Sequence, residues 1–482
     1  MNNRTKNRLS GSELDCVIKI GDRMWVTNPI AFFGWIFVTI YLFSNKAPAL
    51  ALIYSVMGAF LFLPMSTIDM PIPLLPDINK TTAVAYGILL GQALSGANRD
   101  YDFKFRVYDL PMLAYCTIIP IMSSLSNGLG LIDGVSRSIN LYFSWGIFYW
   151  SGRRYFNNIE MIYLLVKSIL VGAIICIPMV FYEVRMSPQL HSSVYGFFQH
   201  SFAQTVRWGG YRPFLFMQHG LMVALWMSVA TIVSFWSWRS GIIDKIFGIP
   251  IAFIFFFLAL STFLCKSSGA LVFMVLGIGL YYAYNKKRNT KLLIIIVLII
   301  PAYFIFRLSN FITIAQIERI TSRIFSSERV ASLVIRLWQE NMFGSKALLR
   351  PLFGWGWMDR AWPMDDYTGE LLIPMVDPLW IITLGTSGLI GLFASYIALG
   401  IGPLRVFRIS GKSANTNEIE LKEYKIVPIV LSLVVTVFLL DSLQNAMVAP
   451  IYIVCAGALT TYYLTVRDSM KIAYGKLPLV AD

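Results

Sequence analysis

Charge is what this chain has least of. Asp, Glu, Lys and Arg make up 14% of its 482 residues, against about a quarter in soluble domains, and that scarcity excludes an ordinary water-soluble globule. Histidine occurs 3 times and cysteine 5 times. Cys16, Cys116, Cys176, Cys265 and Cys455 are too scattered for a zinc site or a disulfide framework. A spaced carboxylate pair for a cation is missing as well, because Asp365 and Asp366 are adjacent and read as an exposed loop. No metal and no cofactor are expected. The first apolar run begins near Pro29 and lacks a small-residue cleavage site, so no removable signal peptide is expected.

Apolar residues are what the chain has instead: 57% are hydrophobic and the mean hydropathy is +0.64. A bilayer core takes roughly 20 apolar residues per helix, with about 17 tolerated. Apolar runs lie at 29–43, 49–65, 82–97, 108–126, 133–150, 161–182, 214–236, 246–264, 269–284, 292–307, 378–402, 426–442 and 444–466. They are too long for barrel strands of about 10 residues, and backbone groups facing lipid must pair within their own segment. The expected fold is an all-α polytopic membrane protein of about 12–14 transmembrane helices with a partly helical external loop domain.

Lys and Arg concentrate in short cytoplasmic loops. Here they mark Arg153-Arg154, Lys286-Lys287-Arg288 with Lys291, Arg405 with Arg408 and Lys412, and Arg467 with Lys471. Alternation from these anchors places 183–213, the turn around Lys266, 308–376 and the turn near 443 outside. The expected organisation is a cytoplasmic basic segment 1–28, transmembrane helices over 29–182, a first external loop 183–213, central helices over 214–307, a large external loop 308–376 with an amphipathic helix, C-terminal helices over 377–466 and a cytoplasmic tail 467–482. An odd number of spans conflicts with a cytoplasmic N-terminus, so residues 1–107 receive no topology. The net charge of +14 is largely the bias that insertion requires, and no nucleic-acid partner is expected.

Two external segments are rich in specific chemistry. The first carries Glu183, Arg185, His191, His200, Gln204, Arg207 and Arg212, with His219 just beyond it. In the second, Val330, Leu333, Val334, Leu337 and Trp338 recur at helical spacing, which predicts an amphipathic helix over 328–343. One reading of its polar face pairs Arg336 with Glu340 at i, i+4. The external cations Arg185, Arg207, Arg212, Lys266, Arg329 and Arg336 stand where Lys and Arg are least expected, near a membrane that makes them costly unless they face a wet cavity or a partner. Their natural partner is an anion, which Arg grips through paired donors, and a lipid diphosphate head group would satisfy them.

Arg336-Leu337-Trp338, followed by Pro351-Leu352-Phe353-Gly354-Trp355-Gly356, resembles the O-antigen ligase and O-antigen polymerase superfamily, bacterial membrane glycosyltransferases of the type C fold. That family's periplasmic signature is His, then Asn, Ser or Gln, nine residues, Gly, two residues, and Gly, Thr or Tyr. Here Asp377-Pro378 is followed at the same spacing by Gly388 and Gly391, so the signature histidine is replaced. Lys266-Ser267-Ser268-Gly269 looks like the family's Ser-Arg-Gly turn, and Arg212-Pro213-Phe214 with Gln218-His219-Gly220 is similar to its segment opening a span.

The resemblance covers about residues 150–405. It implies a glycosyltransferase of the bacterial inner (cytoplasmic) membrane, with its active site facing the periplasm or cell exterior. Its donor would be an oligosaccharide linked to undecaprenyl diphosphate, polymerised or ligated in exopolysaccharide or O-antigen synthesis without a metal. Arg207, Arg212, Lys266, Arg329 and Arg336 would stabilise the diphosphate leaving group. Asp377 stands where the histidine is lost: a poorly solvated carboxylate suits proton abstraction, and the same residue before Pro378 also reads as a helix cap. Glu183, His191 and His200 are alternative bases. Trp355 and Trp357 are placed to stack on sugar rings or to anchor at the interface. The bilayer and other polysaccharide assembly and export proteins are the further partners. Other readings are a transporter or flippase of a lipid-linked glycan and a non-catalytic export partner.

Overall fold

The computed structural model describes residues 11–72, 74–96, 103–287, 289–309, 313–323, 327–365, 368–372, 376–412 and 426–475. Helix occupies every apolar run identified above. In chain order the helices are α1 Gly11–Asn45, α2 Pro48–Phe62, α3 Lys80–Ser95, α4 Val107–Ser126, α5 131–155, α6 Ile159–Met186, α7 Leu190–Tyr195, α8 Gly220–Ser240, α9 Ile251–Leu264, α10 Ser268–Lys287, α11 Lys291–Leu308, α12 Ile314–Thr321, α13 Ser327–Leu348, α14 Met358–Ala361, α15 Leu379–Lys412, α16 Ile426–Asp441 and α17 Pro450–Gly475. Strand pairing among the described residues is limited to the short hairpins β1–β2 (Thr67–Ile68, Ile78–Asn79), β3–β4 (Val206–Arg207, Gly210–Tyr211) and β5–β6 (Lys245–Ile246, Ile249–Pro250), with one isolated bridge between Met364 and Leu371. Among the described residues, 7 helices are long and apolar enough to cross a membrane, and α2, α9 and α16 are shorter apolar helices. This is an all-α, multi-pass membrane architecture.

Helix ends follow local chemistry. Asn79 Oδ1 accepts from Thr81 N and Thr82 N at the start of α3, and Asn158 Oδ1 accepts from Met161 N at the start of α6, each satisfying donors that lack an intrahelical partner. Burial then sorts the helices. Nearly all of α8 is buried, Trp226 and Trp236 completely, and α16 is as deeply enclosed. By contrast α1 and α10 present Phe37, Tyr41, Val272 and Val275 outward. Apolar side chains gain little by leaving lipid for protein, so close backbone packing holds such helices together. Gly152 in α5 lies against the Val454 carbonyl of α17, and Gly457 of α17 against the Tyr149 carbonyl of α5.

Two buried ion pairs lock other helices. Arg153 donates to both oxygens of Asp109, at 2.6 and 2.9 Å. Arg307 donates to Glu340 Oε2 at 3.1 Å and to Asn341 Oδ1 at 2.9 Å, fixing α13 to α11. Glu340 therefore pairs with Arg307 rather than with Arg336. The amphipathic helix extends to Leu348, beyond the expected 328–343, and its apolar face is narrower than its periodicity implies: Val330 and Leu337 are buried while Leu333 and Trp338 are exposed.

Helix directions bear on the N-terminus. Thr39 meets Gly87 and Phe43 meets Gly91, so α1 runs parallel to α3. Met65 N donates to His191 Nε2, which places the start of α3 at the bundle end that carries 183–213. Residues around Val26 in α1 share that end.

Candidate functional site

The loop 183–219 is built around the β3–β4 hairpin. Trp208 and Gly209 both adopt positive φ, 49° and 67°, which closes the two-residue turn and sets Arg207 opposite Gly210. Lys266, in the tight turn between α9 and α10, also has a positive φ of 51°. Its ammonium lies directly against Gly210, where a side chain would displace it. Arg212 passes over Gly220 and donates from Nη2 to the Lys266 carbonyl at 3.0 Å. Non-glycine residues held in that region of backbone space tend to mark functional sites.

Arg207, Arg212 and Lys266 are thereby brought together, and Arg336 lies within electrostatic reach of Arg212. Arg212 is 2% exposed, its Nε has no hydrogen-bond partner, and among the described residues no carboxylate pairs with it. Burial, then the positive charges of Arg207 and Arg336, lower its pKa to about 10 despite the opposing influence of Cys265. Burial lowers Lys266 from its ordinary value too. Arg336 reaches Asp377 Oδ2 at 3.9 Å, with side chains 44% and 31% exposed, so this pair faces an open space. The described part of Arg329 does not include its side chain.

The other expected bases are differently placed. Glu183 is 1% exposed and accepts from Leu190 N, Phe214 N and Leu215 N at 3.0, 2.8 and 2.8 Å. It ties the two ends of the loop together by accepting these three backbone hydrogen bonds. His191 is equally buried: Nε2 accepts from Met65 N at 3.1 Å and Nδ1 bonds Phe197 O at 2.9 Å. Since a carbonyl only accepts, Nδ1 carries the proton and no basic nitrogen is left for substrate. Burial first, and the Lys80 charge after it, lower His191 to about 4, with the Phe197 contact opposing. These contacts tie Glu183 and His191 to the backbone of the loop.

His219 caps α8, accepting from Leu221 N at 3.0 Å, while Nε2 bonds Gln204 Oε1 at 2.8 Å. Burial, His200, Arg212 and Arg207 push it down to about 3, so it stays neutral beside the cations.

The segment 351–356 meets the Gly388 region directly. At Gly388, with φ 66° and ψ −172°, α15 breaks. Leu389 N donates to Pro351 O at 2.7 Å, and Trp355 N and Gly356 N donate to the Gly385 and Thr386 carbonyls at 2.8 and 3.1 Å. A Cβ on Gly354 or Gly388 would strike backbone of the other segment. Both indoles are engaged: Trp355 Nε1 donates to Lys346 O and Trp357 Nε1 to Asp133 Oδ1, each at 2.9 Å. Arg137, singled out by no motif, donates from Nη2 to Thr386 O at 2.7 Å and to Ser387 Oγ at 2.9 Å. A cation at the carbonyl end of a half-helix stabilises the break. Only its position within an apolar run marks it in the sequence.

Among the described residues no group of three His, Cys, Asp or Glu side chains forms a metal site. No protein-family model matches the chain, and no curated protein matches it.

Proposed function

We propose that the chain is a membrane glycosyltransferase that uses a polyprenyl-diphosphate-linked oligosaccharide, polymerising or ligating its repeat units for an exopolysaccharide or O-antigen at the outer face of a bacterial inner membrane. The observation that carries this reading is Arg212: a buried guanidinium without a carboxylate, in contact with Lys266 and within electrostatic reach of Arg207 and Arg336. Buried charge is expensive without a counter-ion, and a diphosphate supplies one.

In the reaction, an acceptor hydroxyl oxygen attacks the donor's anomeric carbon, and the bond from that carbon to the diphosphate oxygen breaks with its electron pair going to the diphosphate. The cations meet that developing charge already in place. The hydroxyl proton passes to Asp377, which Arg336 holds at the edge of the same cluster. Purified protein in liposomes with a polyprenyl diphosphate oligosaccharide tests this. Lengthened glycans, with loss of lengthening in Asp377→Asn, are expected; a wild-type protein that never lengthens the glycan overturns the reading.

The broken helix α15 favours a second reading. Discontinuous helices are common where transporters bind cargo. Transbilayer movement of the glycan without lengthening is the outcome that supports a flippase.

A further inference from the structure

A cavity opens at the same end of the bundle, between α2, α3 and the start of α8, with a volume of about 300 Å³. That is the lower end of ordinary small-molecule sites, about 300–1,000 Å³, and suits one sugar ring rather than a lipid chain. Its polar wall is Ser66, Asn79, Lys80, Thr81 and Gln218, and Gln218 immediately precedes His219 of the cationic site. Phe60 and Val84 supply an apolar floor.

The wall's one ionisable side chain among the described residues is the amine of Lys80. Lys80 donates to the Phe216 carbonyl at 2.5 Å, which uses one of three ammonium donors. Among the described residues no acidic side chain lines the cavity, and Lys80 stands in the first turn of α3, where the helix dipole contributes positive potential. The Ser66 hydroxyl is buried without a hydrogen-bond partner among the described residues. Buried hydroxyls are normally paired, so an unpaired one beside a cavity is a place for a ligand atom. A single carboxylate flanked by hydroxyls, over an apolar face for the ring C–H groups, is the ligand chemistry that matches.

We infer that this cavity is a subsite for an acidic sugar residue, a hexuronate-type ring whose carboxylate meets Lys80 and whose hydroxyls meet Ser66, Thr81 and Gln218. The inference rests on the transferase reading, for which it names the glycan class: repeat units carrying a carboxylate beside the reacting sugar. Phe216 and Gln218 join the two sites along one short stretch of chain, so occupation here positions a glycan whose diphosphate lies against Arg212.

The test uses full-length protein in lipid nanodiscs with glucuronate and glucose as probes, read by titration calorimetry. Glucuronate binding with no comparable glucose binding is expected, weakened about tenfold or more in Lys80→Gln as befits a charge-assisted hydrogen bond. Lys80→Arg retains binding, and Val84→Phe, which fills the floor but keeps the amine, abolishes it. Equal binding of both sugars, no binding of either, or glucuronate binding indifferent to Lys80→Gln overturns the subsite. The two readings fail separately. A protein that lengthens neutral and acidic lipid-linked trisaccharides equally, with Lys80→Gln unchanged, loses the subsite and keeps the transferase. A protein that binds glucuronate through Lys80 and lengthens nothing loses the transferase and keeps the subsite.

Discussion

Arg153 and Arg212 are both nearly inaccessible arginines of one bundle, and their surroundings differ in a single respect. Arg153 meets both oxygens of Asp109, with side-chain exposures of 4% and 0%. Arg212 finds a backbone carbonyl and a crowd of other cations. A desolvated charge with a carboxylate is a clasp between helices. Arg137, also without a carboxylate, is held by the Thr386 carbonyl at the α15 break, whereas Arg212 stands among further cations, and that contrast is what the proposed anion site rests on.

The strongest way to break the comparison is on the scaffold side. Asp109→Ala leaves Arg153 buried and unpaired and should destabilise the fold by about 3–5 kcal/mol, read as loss of monodisperse protein and a lowered melting temperature. On the site side, Arg336→Ala should leave melting nearly unchanged, because its exposed pair with Asp377 contributes little. Glycan lengthening should nevertheless fall by a factor of ~10²–10³. Undiminished turnover in folded protein would remove Arg336 from the site.

Glu183→Gln comes next. It weakens three backbone hydrogen bonds at the loop's ends, a loss of about 1–3 kcal/mol. The loop should become protease-sensitive, and any loss of activity should track that sensitivity; a catalytic base would instead lose turnover with the loop intact.

Acid offers a smaller effect with a defined sign. Burial holds His191 at about 4, against 6.5 for the free side chain. Between these values the unfolded chain binds more protons than the folded one, so this stability is present above about 6.5 and lost as pH falls toward 4. Melting measured across that window should slope accordingly, and less so in His191→Gln. His219, held at about 3, adds a slope of the same sign. At the bottom of the scale, Asp468→Asn weakens solvent-accessible contacts to Arg106 at 3.5 Å and to Arg467 at 2.7 Å and should shift stability by less than about 1 kcal/mol.

The helices were legible because lipid leaves an apolar run no backbone partner outside its own turns, although only 7 of the described helices are long and apolar enough to cross a membrane. Six cations were singled out because Lys and Arg are least expected on the side read as external, and Asp377 because it stands where the resemblance places a histidine. What stayed illegible is pairing. Glu340 was read with Arg336, its neighbour on the helix, but Arg307 from another helix reaches it first. Glu183 and His191 look like bases in a list of residue types, and only their contacts show them tied to the backbone of the loop. Arg137 and Lys80 carry no local motif, since each is defined by a helix break or cavity that distant segments assemble.

Composition and apolar periodicity alone determined that this chain lives in a bilayer as helices, because hydrocarbon penalises every unpaired backbone group wherever it falls. Which buried cation meets a carboxylate and which does not was decided only by tertiary packing. That outcome turns on angstrom-scale meetings between segments such as 207–212, 266 and 336, which no local propensity specifies.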